Sequence, residues 1–168
     1  MIPYNKLTYQ NSEDLEFIVD KFDYNQYSIE DHDEDIKGIL RIATVPFRII
    51  KQKNPPTSKQ PYAMQAVNVI SFVNKGGKYG VPNSDPITLQ DWENREKIDV
   101  TDKLEALNEP YNIYFIINTD KPVSIRAKSS VIKVELLKGL YDYYGNPVFR
   151  VEVSIVISYA YPKKDTTN

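Results

Sequence analysis

Val148-Phe149-Arg150-Val151-Glu152-Val153-Ser154-Ile155-Val156-Ile157-Ser158-Tyr159-Ala160-Tyr161 is the stretch that decides the fold. Every odd position is apolar or aromatic, while the even positions include Arg150, Glu152, Ser154 and Ser158. Side chains alternate faces along an extended chain, so the pattern predicts a strand with one buried and one wetter face. Upstream, Val131 to Tyr141 sets Ile132, Val134, Leu136 and Leu140 on one face. Between the two runs stand Asp142-Tyr143-Tyr144-Gly145-Asn146-Pro147, turn-forming residues among which Gly145 tolerates positive φ. A long β-hairpin is expected.

Moving outward, a second long hairpin is expected over residues 36–74. Ile39, Ile42, Val45, Ile49 and Ile50 favour extended backbone, and Pro46 predicts a bulge or an edge position. Lys53 to Pro61 is a Pro-rich loop, and Val67, Val69, Ile70, Phe72 and Val73 mark the returning strand. Tyr111 to Asn118 predicts a further short strand. Two helices are expected. Asn11-Ser12-Glu13-Asp14 has capping character, and Leu15, Ile18, Val19 and Phe22 fall at i, i+3, i+4 and i+7, which predicts a helix over 12–22 covering the sheet. Thr88-Leu89-Gln90-Asp91 resembles a capping box and predicts a short middle helix with Leu89 and Trp92 facing inward. Asp99 to Leu104 starts another helical turn. The expected class is α+β, predominantly antiparallel β, in one domain spanning 1–168. Two long β-hairpins form a sheet or sandwich, with an N-terminal helix and a short middle helix. No internal repeat is apparent.

The chain has no cysteine, which excludes thiol catalysis, Cys-ligated zinc and iron–sulfur clusters. Met-Ile-Pro-Tyr-Asn-Lys carries no secretory pattern, and no apolar run approaches the roughly 20 residues that span a bilayer. A soluble protein without a membrane partner is expected. The net charge of −2 conceals a segregation: residues 1–35 hold ten acids and two lysines, and residues 36–84 hold eight bases and no acid. Such asymmetry suits a polyanion partner or self-association of opposite faces, and equally two segments lying side by side in one fold.

Motifs that carry chemistry are few. Glu30-Asp31-His32-Asp33-Glu34-Asp35 contains the lone histidine and could converge on a divalent cation. Ile36 and Ile42, however, stand where an EF-hand loop needs glycine and glutamate, so a solvated acidic loop is the plainer reading. Gly76-Gly77-Lys78-Tyr79-Gly80 lacks the spacing of a phosphate loop. No base accompanies a nucleophile, and no carboxylate pair stands out. An enzyme is not expected; catalytic residues, metal and cofactors are expected to be none. The thirteen tyrosines point instead to contacts, because tyrosine joins a large apolar body to a polar tip. Tyr141, Tyr143 and Tyr144 cluster at a hairpin end and are candidate partner-binding residues. Arg48, Lys51, Lys53 and Lys59 on the basic 36–78 hairpin are candidate contacts to a partner or to nucleic acid. Trp92 and the tyrosines could also stack on sugars.

Gly139-Leu140-Tyr141-Asp142-Tyr143, the polar turn, and Val151 to Tyr159 together resemble the closing hairpin of tailed-phage tail-terminator and related tail- or neck-completion proteins. Those proteins also open with a helix and continue through strands and a middle helix to a final hairpin. This chain departs from them in its longer middle section and its very long first hairpin. The resemblance implies a ring-forming virion subunit that binds like copies edge to edge. A non-enzymatic structural or assembly subunit of a phage virion is therefore expected, in the tail or neck. It would contact other copies of itself and neighbouring structural proteins. The alternative is a cytoplasmic nucleic-acid-binding protein using the 36–78 hairpin.

Overall fold

The alternation of Val148–Tyr161 becomes strand β10 in a computed structural model, which describes residues 12–53 and 61–161. β10 (Pro147–Ala160) pairs antiparallel with β9 (Val123–Tyr141). Phe149 points into the core, while Arg150 and Glu152 face solvent. At the turn Gly145 takes φ 80°, and the Asp142 carboxylate accepts from the backbone N–H groups of Tyr144 (2.8 Å) and Asn146 (2.9 Å). The first hairpin also forms as expected, from β4 (Ile36–Gln52) and β5 (Tyr62–Asn74). Its register slips between Pro46 and Arg48, leaving Phe47 as the extra residue of a bulge. Most of the hairpin tip, with Lys59, lies outside the described residues.

Two five-stranded antiparallel sheets result. In the first, β5 borders one side of β4; on the other side β3 (Asn25–Asp31) borders its beginning and β1 (Ser12–Leu15) its end. β7 (Leu104–Asn108) pairs with β3. In the second, β10 borders one side of β9; on the other side β8 (Tyr111–Ile116) borders its beginning and β6 (Lys97–Asp99) its end. β2 (Phe17–Lys21) pairs with β8. One helix, α1 (Leu89–Asn94), is found where the middle helix was expected. Thr88 caps it in a reciprocal box with Asp91. Leu89 nevertheless points outward, at 74% exposure, and Trp92 is half-buried. A helix of less than two turns lying on the surface has no wide apolar face to bury. Asp99 to Leu104 yields one 3-10 turn (Thr101–Lys103) and then β7.

The expected N-terminal helix is absent: residues 12–21 are β1 and β2. The helical spacing of Leu15, Ile18, Val19 and Phe22 is shared by two short strands that belong to different sheets, with Glu16 at the crossover. Leu15 is buried in one core, whereas Ile18 and Val19 are exposed on β2. Asp14, in place of a first-turn acid, holds Arg48 on the neighbouring strand. The Phe-Ile-Val run favours strand, and tertiary pairing outweighs a short helical pattern.

The expectation of no internal repeat also fails, because the two sheets have the same topology. β1 to β5 recur as β6 to β10, with one exchange: β2 of the first half pairs with β8, and β7 of the second half pairs with β3. Tyr24-Asn25-Gln26-Tyr27-Ser28-Ile29 recurs as Tyr111-Asn112-Ile113-Tyr114-Phe115-Ile116, 87 residues on (111 minus 24), and Asn25, Tyr27, Ile29, Asn112, Tyr114 and Ile116 are all buried. The bulge recurs too, as Phe47 on β4 and Ile132 on β9. The two cores correspond. One gathers Tyr27, Ile29, Leu40, Val100, Val134 and Phe149; the other gathers Tyr114, Ile116, Ile125, Leu15, Ile49 and Tyr62. Each core draws on both halves, because the two sheets pack against each other.

Candidate interaction surfaces

β5 and β10 face each other across the sandwich in opposite directions. The ring of Tyr62 meets that of Tyr159 with centroids 5.0 Å apart, and Phe72 meets Phe149 at 5.4 Å. These contacts exchange under the internal twofold. They also place the tips of the two long hairpins at opposite ends of the molecule. The basic candidates Arg48, Lys51 and Lys53 are therefore not brought together with Tyr141, Tyr143 and Tyr144.

Among the bases, Arg48 follows the bulge and forms a two-pronged ion pair with Asp14, Nε to Oδ1 and Nη2 to Oδ2 (3.0 Å). Hydrogen bonding from Arg48 holds the Asp14 carboxyl below its ordinary value of 3.8. Lys51 lies 6.0 Å from the Tyr62 ring centroid and lines an indentation of about 340 Å³ with Glu13, Asp120 and Lys121. Lys53 is exposed at the end of β4, and Lys59 lies outside the described residues. Among the described residues these bases lie beside acids and do not form a continuous cationic track. The charge segregation of the sequence is resolved by adjacency: β1 and β3 lie beside β4, joining Asp14 to Arg48 and Glu30 to Lys37 (3.5 Å).

The acidic turn after β3 is organised by its own backbone. Asp31 is buried and accepts from the N–H groups of Asp33 (3.0 Å) and Glu34 (3.4 Å), while Asp35 sits at φ 55°. Glu30 faces His32 (3.6 Å) and Lys37. Among the described residues no three His, Asp or Glu side chains converge as metal ligands.

At the other end, the Tyr143 and Tyr144 rings pack edge to face at 5.5 Å and project from the β9–β10 turn, highly exposed. Tyr141 differs. It is half-buried, with Gly80 laid against its ring so closely that a β-carbon at that glycine would collide. Gly80 donates to the Gly145 carbonyl (2.9 Å) and Asn83 to that of Asp142 (3.2 Å), so the segment joining the two halves is strapped across this turn.

The surface that sequence reasoning missed is the outer face of β4 and β5. Val45 pairs with Val67 and Ala43 with Val69 across the two strands, and Phe47 stands beside them on the bulge. Exposure is 52% at Val67, 56% at Val69 and 61% at Phe47. Four large apolar side chains thus share one solvent-facing patch, the kind of surface that marks a contact site. A signal was present: Val67, Val69, Ile70 and Phe72 are apolar on both parities, as in a strand covered on both faces. No helix among the described residues is long and apolar enough to cross a membrane. Comparison with protein-family models, with curated proteins and with solved structures gives no match.

Proposed function

We propose that this chain is a non-enzymatic structural or assembly subunit that acts through protein–protein contacts, in the tail or neck of a phage virion. The observation that carries the reading is the outer face of β4 and β5, where Val45, Phe47, Val67 and Val69 lie together in solvent on a rigid strand pair. The exposed Tyr143–Tyr144 pair at the far end supplies a second contact-prone feature. The virion assignment draws only on the likeness of the closing hairpin to tail- and neck-completion proteins. Nucleic-acid binding is the weaker reading, since Arg48 is already held by Asp14 and Lys51 is flanked by Glu13 and Asp120.

A tagged copy recovered under native conditions from the cells that make it tests the reading. Mass spectrometry is expected to find it in a particle, at fixed stoichiometry with other structural proteins. Recovery of the chain alone, with all of it free in the soluble fraction, would overturn the proposal.

A further inference from the structure

The outer face of the second sheet carries two adjacent rows of side chains. Along β8, Tyr111, Ile113 and Phe115 point outward, since Asn112, Tyr114 and Ile116 between them are buried. Beside them on β9 stand Lys128, Arg126 and Ser124, paired across the strands with those three in that order. The first row is apolar and aromatic, and the second carries two cations. Exposure is 49% at Tyr111 and 40% at Phe115, and Arg126 is exposed as well. The Lys128 ammonium lies 5.3 Å from the Tyr111 ring centroid. On β2, Ile18 gives Phe115 an exposed apolar neighbour, and Lys21 stands opposite Ile113.

Positive charge prevails here. Over residues 17–21, 111–116, 123–131 and 153–160 the bases are Lys21, Arg126 and Lys128, and the one acid is Asp20, at the end of β2. Among the described residues neither Arg126 nor Lys128 forms an ion pair. Beyond the bulge at Ile132 the face changes character, with Lys133 beside Glu135 and Arg150 beside Glu152. The internal twofold supplies a comparison. The first sheet keeps the tyrosine and the arginine, as Tyr24 and Arg41, but has Ser28, Ala43 and Glu105 where the second has Phe115, Lys128 and Ile18. At these positions the second sheet has one ring and one base more, and one acid fewer, on the same backbone. Arg41 is half-buried, 5.4 Å from the Tyr24 ring centroid, whereas Arg126 is left in solvent.

We propose that this face binds single-stranded nucleic acid, with phosphates on Arg126 and Lys128 and bases stacked on Phe115 and Tyr111. The inference goes beyond the assembly role and uses a surface separate from the 36–78 hairpin. Guanidinium and ammonium groups meet phosphate charge, and an aromatic ring accepts the flat face of any base. That combination holds single strands without reading their sequence. An acidic protein segment would engage the cations but offer the two rings no stack of planar groups. A duplex keeps its base faces inside its own stack. The two rings are about 13 Å apart along β8, four residues at roughly 3.3 Å each, which suits two or three splayed bases.

Fluorescence anisotropy of a labelled oligothymidylate, titrated with the full chain over a salt series, tests the proposal. Binding is expected at low salt, with affinity falling at a log–log slope of about −1.4, or about 0.7 for each of two phosphates. Arg126→Gln and Lys128→Gln should each weaken binding and make the slope shallower by about 0.7. Phe115→Ala should weaken binding about tenfold with the slope unchanged, and Phe115→Tyr should retain it. Arg41→Gln, at the corresponding place on the first sheet, should change nothing. Absence of binding at low salt overturns the proposal. So does binding that survives both Arg126→Gln and Phe115→Ala, or that is lost through Arg41→Gln. Tighter binding to a duplex of the same length also overturns it. Displacement by poly-glutamate, combined with full affinity in Phe115→Ala, would instead mark a site for acidic protein and overturn it too. None of these outcomes bears on the outer face of β4 and β5, so the assembly reading stands or falls separately.

Discussion

Tyr27 and Tyr114 occupy corresponding places in the two cores, and burial raises the pKa of both hydroxyls. For Tyr114 burial moves the value from 10.0 up to about 12, against a smaller opposite effect of the hydrogen bond with Asn112. Between those values the folded chain keeps a proton that the unfolded chain has released. Stability is therefore independent of this group below pH 10 and falls as pH rises from 10 toward 12. Tyr62, raised to about 12 chiefly by burial, acts in the same direction. Urea unfolding at a series of alkaline pH values should show the decline. Tyr114→Phe should make it shallower without abolishing it. An unchanged slope in that variant would contradict the burial of this hydroxyl.

Elements show most plainly what a chain of residues discloses. Both long hairpins were legible because a period of two, sustained over many residues between turn-forming clusters, has few other physical explanations. The helix assigned to residues 12–22 was not, because its apolar spacing also fits two strands broken at Glu16, and nothing local says that they join different sheets. The repeat was hidden for another reason. Tyr-Asn-x-Tyr-x-Ile at β3 and β8 keeps four identical residues, but elsewhere identities are isolated and correspondence survives mostly as polarity, as in Leu15 with Val100. The asparagine of each motif is buried and makes a polar contact there. Asn25 Nδ2 donates to the Ser129 carbonyl (2.7 Å) and to the Tyr27 hydroxyl oxygen (3.1 Å), while Asn112 Oδ1 accepts from the N–H of Asp23 (2.9 Å). The bonds to Ser129 and from Asp23 cross from one half to the other. Asn25→Ala and Asn112→Ala are each expected to cost about 1–3 kcal/mol, the penalty for leaving buried polar groups unpaired. Chemical denaturation measures both, and a loss confined to one variant would contradict their equivalence.

On the scale of the molecule, the exchange of β2 and β7 ties the halves together. Each half completes the other's sheet, and both cores mix residues from the two. A protease site inserted after Asp85, on the exposed joining segment, should therefore be cut without releasing either piece. The two pieces should elute together from native size-exclusion and part only in denaturant; separation on cutting would contradict the exchange. The candidate surface was less legible than the fold. That Arg48 is neutralised depends on Asp14, 34 residues earlier in the chain. Which valines face solvent depends on the register around Phe47. Both facts belong to pairings between distant strands, which local patterns do not record.

The function proposed above turns on the outer face of β4 and β5, where Val45, Phe47, Val67 and Val69 lie in solvent. Hydroxyl-radical footprinting read by mass spectrometry, on the isolated chain and on the chain within its native particle, tests it directly. The prediction is that Phe47 is oxidised readily in the isolated chain and shielded in the particle. Equal oxidation of Phe47 in both states would contradict it.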